Sequence, residues 1–134
     1  MGRKFAVEIV TPERVVLSEQ AESLVVPAEK GYLGVLAGHA PLLCALRPGE
    51  VRLRTERGER LLATGGGFLE VLRDKATLLV DSLEEAAAID VPRAEAALRR
   101  SREELAAART EAAREEARAA MERARNRLRV ASRK

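Results

Sequence analysis

Two patterns of apolar and polar positions divide this chain, and they meet near Asp90. Before that point the apolar residues come in short runs cut by Gly and Pro. Phe5 to Val10 alternates, Arg14 to Ser18 and Glu22 to Val26 are rich in valine, and Gly31 to Gly38 is an apolar segment bracketed by glycine, with Ala40 to Leu46 behind it. Val51 to Thr55 alternates cleanly, Arg57-Gly58-Glu59 turns, and Arg60 to Thr64 returns, which is the strongest hairpin signal present. Phe68 to Leu72 and Ala76 to Asp81 flank a further turn at Arg73-Asp74-Lys75. Many short β-branched runs at this spacing predict an antiparallel sandwich or barrel.

After Pro92 there is neither Gly nor Pro. Ala94, Leu98, Ser101, Leu105 and Ala108 recur at spacings of four and three, and so do Ala113, Ala117, Ala120, Ala124, Leu128 and Ala131. Each series lines one helical face with small side chains. Small faces let two helices approach closely, which predicts an antiparallel hairpin with Leu98, Leu105, Met121 and Leu128 as its few large contacts. The turn between them is poorly marked: Ala106 to Glu111 holds no breaker, and Thr110 is the one plausible N-cap. A continuous helix from Pro92 to about Val130 breaks no local rule and would reach roughly 60 Å. The expected architecture is therefore α+β. An N-terminal antiparallel β-sandwich covers 1–84, a linker 85–91, and a C-terminal two-helix antiparallel hairpin 92–134. An alanine-rich face grips weakly, so the helical part is expected to move.

Composition narrows the chemistry. The chain has 134 residues, a formal net charge of +3, one cysteine and one histidine. No His-based triad or multi-histidine metal site can be built, and no internal disulfide can form. No run approaches the roughly 20 apolar residues of a membrane helix. Met1-Gly2-Arg3-Lys4-Phe5 has no apolar signal-peptide core behind it, and Ala6 argues against myristoylation of Gly2. His39 sits in a turn-like Gly38-His39-Ala40-Pro41 and reads as structural. Gly65-Gly66-Gly67 lacks the Lys-Ser or Lys-Thr and the following helix of a phosphate loop, so a bulge or tight turn is expected. Cys44, in an apolar strand, reads as inert. Arg123, Arg125, Arg127, Arg129, Arg133 and Lys134 make a basic end without an acid. Such an end either seeks an anionic partner or simply complements the helix dipole. A nucleic-acid platform is disfavoured, because Phe5, Tyr32 and Phe68 are the only aromatic residues.

Three segments in order resemble the epsilon subunit of bacterial F-type ATP synthase. They are Gly31-Tyr-Leu-Gly-Val-Leu-Ala-Gly-His-Ala-Pro-Leu-Leu43, Gly66-Gly-Phe-Leu-Glu-Val71, and Ile89-Asp-Val-Pro-Arg-Ala94 with Arg125-Asn-Arg-Leu128. One departure is Ala37, where the family usually has proline. The resemblance implies a non-catalytic central-stalk subunit on the cytoplasmic face of the bacterial plasma membrane, attached to the membrane only through the complex. The implied partners are the gamma subunit and the c-ring, with the alpha and beta catalytic subunits reached by the helical arm; nucleic acid is not among them. The arm would open to block ATP hydrolysis. A plain stalk subunit without nucleotide sensing is the alternative.

The junction carries the sharpest site expectation. Asp90 before Pro92 is an ordinary helix start. Ile89-Asp90-Val91-Pro92-Arg93-Ala94 also resembles the nucleotide motif of bacterial epsilon subunits, which implies ATP as a regulatory ligand. Asp90 would accept from the adenine amino group, and Ile89 and Ala94 would supply apolar and backbone contacts. Arg93 and Arg100, two turns apart on one face, would meet the polyphosphate, and Glu84 matches a further family position. Arg93 and Arg100 can equally pair with Glu95, Glu103 or Glu104. Early in the second helix Glu115 and Glu116 stand where some relatives carry basic residues, with Arg114 and Arg118 adjacent as substitutes.

Overall fold

A computed structural model describes residues 3–133, so Met1, Gly2 and Lys134 lie outside the described residues. The chain divides into two compact units, Met1–Glu85 and Ala86–Lys134. The first holds ten strands: β1 (Phe5–Val10), β2 (Val15–Ala21), β3 (Ser23–Ala28), β4 (Gly31–Val35), β5 (Leu42–Leu46), β6 (Gly49–Thr55), β7 (Gly58–Thr64), β8 (Gly67–Leu72), β9 (Lys75–Val80) and β10 (Leu83–Glu85). They form one sheet in the order β10-β7-β6-β3-β5-β8-β9-β1-β2, with β4 added on β3. Alternation decides what is buried. Phe5, Val7 and Ile9 of β1 point into the core, as do Leu69 and Val71 of β8 and Ala76, Leu78 and Val80 of β9. Each large side chain so buried contributes on the order of 1.5–3 kcal/mol.

The sandwich differs from the sequence expectation in three places. It is not wholly antiparallel, because β1 pairs with β9 in parallel, Ala6 beside Lys75 through Val10 beside Leu79. Strands joined by short turns must run antiparallel, but β1 and β9 lie far apart in the chain and carry no such constraint. The β6–β7 turn uses Glu56-Arg57 alone, and Gly58 already pairs with Thr55. Gly58 supplies φ +115 there, which a side chain resists. The strand β10 was not legible at all, since Leu83-Glu84-Glu85 has no alternation and low strand propensity.

The second unit opens with a short 3-10 turn, Ala86–Ala88, and continues into α1 (Val91–Ala107) and α2 (Glu111–Ala131). The helices pack on each other as a hairpin. α1 buries Ala94 and Ser101, seven apart, and α2 buries Ala117 and Ala124, also seven apart, together with Asn126, Val130 and Ala131 near its end. The expected large contacts, Leu98, Leu105, Met121 and Leu128, are only half-buried. The break falls at Thr110, whose hydroxyl accepts from the Ala113 amide at 3.0 Å. Thr110→Ala removes this cap, which costs about 1 kcal/mol, and puts the best helix former at the break. The expected result is a larger share of one long helix. Spin labels near both ends of the hairpin would report it as a second, longer distance, and an unchanged distance distribution would refute it.

Candidate functional site

The start of α1 is built by the run Ile89 to Ala94. The Asp90 carboxylate, through Oδ1, accepts from the Arg93 amide at 3.1 Å. Pro92, in the first turn, needs no donor partner there. Ile89 and Ala94 are buried on either side of the cap. The carboxylate itself is exposed and keeps its second oxygen for another donor. The expected pairing of Arg93 and Arg100 with Glu95, Glu103 or Glu104 is not present. Both guanidiniums are exposed and engage no described residue. Seven residues of helix separate them by roughly 10 Å along one face, a span that a polyphosphate can bridge.

Four of the six expected nucleotide residues, Asp90, Arg93, Ala94 and Arg100, thus stand on or at α1, with Ile89 just before it. Glu84 lies on β10, in the first unit, where its backbone pairs with Ala63. Arg114 and Arg118 are not free as substitutes. Arg114 meets Glu111 at 3.4 Å, and Arg118 meets Glu111 at 3.6 Å and Glu115 at 3.4 Å. No cluster of metal-ligating side chains occurs among the described residues. Gly66 and Gly67 have φ +105 and +152 and lead into a strand, so the glycine run is a backbone device. His39 keeps its Nδ1 on the Ala40 carbonyl at 2.7 Å. Burial pushes the Cys44 thiol up, away from the reactive thiolate.

A second surface escaped the sequence reading. On the outer face of the sandwich, Ala45, Phe68, Leu79, Val10 and Val15 stand side by side on β5, β8, β9, β1 and β2. Five strands at about 4.8 Å spacing make this apolar row roughly 19 Å long. Phe68 and Leu79 at its centre are 54% and 53% exposed. The adjacent Leu43 is 71% exposed. Ala45 and Val10 are half-buried, and Val15, Phe68 and Leu79 give the row its exposed apolar surface, of the kind on which partners dock. The sequence did hold a signal: Phe68-Leu69 and Leu78-Leu79-Val80 break strand alternation, so one residue of each run must face outward.

The fold has a counterpart among known proteins. Residues 4–86 match the family described as ATP synthase, Delta/Epsilon chain, beta-sandwich domain. The chain belongs to the ATP synthase epsilon-chain family. It is 46% identical over 106 residues to the ATP synthase epsilon chain of Syntrophobacter fumaroxidans, covering 79% of each chain. It is 48% identical over 99 residues to that of Pelotomaculum thermopropionicum, covering 74% of each. Among solved structures it is similar to a chain of the Euglena gracilis mitochondrial ATP synthase, determined with OSCP, F1 and c-ring. That match has a TM-score of 0.83 at 23% identity and covers 96% of this chain and 81% of the other. A central stalk and c-ring structure from Tetrahymena thermophila gives 0.67 at 16% identity, covering 97% and 98%. Both likenesses are of fold, and they cover the helices as well as the sandwich. No described helix is long and apolar enough to cross a membrane.

Proposed function

We propose that this epsilon-family chain is a non-catalytic rotor subunit of an F-type ATP synthase. In this reading the outer apolar row docks on the gamma subunit, and the sandwich bears on the c-ring. The chain is then held at the cytoplasmic face of the bacterial plasma membrane through the complex alone. The row carries the proposal. An epsilon-family sandwich with Phe68 and Leu79 in water has apolar surface that a stalk partner would cover. The basic arginines of α2 would let a released arm engage acidic surface on the alpha and beta subunits and so block ATP hydrolysis.

ATP is the proposed ligand that keeps the arm folded. Arg93 and Arg100 are exposed and without partners among the described residues, on one face beside the half-used Asp90 carboxylate. A ligand that binds only the folded hairpin stabilises it by about 2.7 kcal/mol at a hundred times its dissociation constant. The hairpin buries mostly small side chains, Ala94, Ser101, Ala117, Ala124 and Ala131, so a gain of that size weighs against release of the arm. Calorimetric titration of the chain with ATP is expected to give saturable binding, reduced at least about tenfold in Arg93→Ala by loss of a charge-assisted contact and similarly in Asp90→Ala. Absence of heat at millimolar ATP would leave the second reading, a stalk subunit without nucleotide sensing. One observation favours that second reading: Asp90 already serves as a cap, and Arg114 and Arg118 are held by their own helix.

A further inference from the structure

Three segments far apart in the chain meet at one carboxylate. Asp74, in the turn between β8 and β9, accepts through Oδ1 from the Gly38 amide at 2.7 Å. Its Oδ2 holds the Arg3 guanidinium at 2.5 Å. Its backbone carbonyl accepts from the Ala6 amide at 3.0 Å, so the main chain beneath the carboxylate is fixed. Arg73 and Asp74 both adopt left-handed φ values, +51 and +59, which is the backbone of a type I′ hairpin turn made without glycine. The Gly38 amide, against an opposing effect of desolvation and helped by Arg3, holds the Asp74 carboxyl below its ordinary value.

The segment on the other side is also a turn. The His39 amide donates to the Leu36 carbonyl at 3.1 Å, with Gly38 at φ +84 and Ala37 not left-handed. That is a type II turn, in which proline suits the second position because its φ is already set. Ala37 leaves that torsion free. The Gly38 amide, which such a turn leaves outside its own hydrogen bond, is the group Asp74 takes. The turn presents Leu36, 61% exposed, and leads into β5, where Leu43 extends the outer apolar face.

We propose that Asp74 is a positioning residue for rotor docking, holding the Leu36–His39 turn in the shape that the gamma subunit contacts; this rests on the docking reading above. The carboxylate supplies from outside the rigidity that Ala37 does not supply from within. Arg3 keeps the carboxylate aimed at Gly38.

The test pairs amide exchange of the chain by NMR with its affinity for an alpha–beta–gamma subcomplex. Asp74→Ala is expected to speed exchange at Gly38 and His39 and to weaken docking roughly tenfold, the range for loss of a hydrogen bond to a charged group. Asp74→Asn, which can still accept from Gly38, loses less. Adding Ala37→Pro to Asp74→Ala is expected to restore His39 protection and most of the affinity while Gly38 stays unprotected. A merely destabilised sandwich would not be rescued that way. Unchanged affinity in Asp74→Ala with Gly38 deprotected overturns the positioning role alone. No docking by the unaltered chain overturns the gamma reading and this role with it.

Discussion

Gly67→Ala is expected to cost the sandwich most of its stability and to lower its urea midpoint sharply. Gly67 has φ +152, where a side chain is strained whatever the space. Space is lacking as well. A Cβ there would sit 2.0 Å from the Leu79 carbonyl oxygen and 2.8 Å from the Val80 Cα. Both obstacles are backbone, in the strand paired with Gly67 itself, Gly67 opposite Val80. Gly67 is also opposite Leu46 of β5, so β8 cannot retreat from β9 without spoiling its other ladder. A clash with two ladders exceeds the usual 1–3 kcal/mol of overpacking and adds about 1–3 kcal/mol of backbone strain. Against a total stability of roughly 5–15 kcal/mol, that loss removes most of the margin.

Gly58→Ala makes the informative comparison. Its φ of +115 carries the same kind of strain, but a Cβ there meets nothing. It should cost only about 1–3 kcal/mol. Urea denaturation of the two variants separates strain from collision. Equal midpoints would mean that β8 and β9 can part locally, and the account of Gly67 would be wrong.

The contrast between these glycines shows what the sequence made legible. Val51 to Thr64 announced its hairpin because alternation and a turn residue agreed, although the turn lay one residue earlier than Gly58 suggested. The Gly65–Gly67 run was readable as a bulge or turn, but not the Leu79 carbonyl that makes it obligatory, since that neighbour comes from β9. Parallel pairing of β1 with β9 left no local mark for the same reason. In the helices, Thr110 was readable as an N-cap, and it does start the second helix. The candidate nucleotide residues were legible as a motif around Asp90. That Arg93 and Arg100 stay unpaired while Arg114 and Arg118 do not was beyond spacing alone, because all four have acids within helical reach. The apolar row was hardest, as it exists only when five strands are in register.

That row carries the second large effect. Phe68→Glu is expected to weaken docking on a gamma-containing subcomplex at least about a hundredfold, while the chain itself melts unchanged. Phe68 faces solvent on a strand whose alternate residues, Leu69 and Val71, form the core, so the substitution leaves the packing of the fold alone. Aromatic residues at the centre of an interface each carry about 2–4 kcal/mol. A carboxylate buried there without a partner adds a desolvation cost. A loss of 2.7 kcal/mol already corresponds to about a hundredfold in affinity. Leu79 is directly opposite Phe68, so Leu79→Glu should weaken docking too, and the double variant should lose less than the sum, because one buried contact cannot be lost twice. Arg93→Ala, in the second unit, should dock as the unaltered chain does. Surface plasmon resonance against the immobilised subcomplex measures all four. If Phe68→Glu binds like the parent, the row is not the rotor interface, because a carboxylate at its centre is the change such an interface tolerates least.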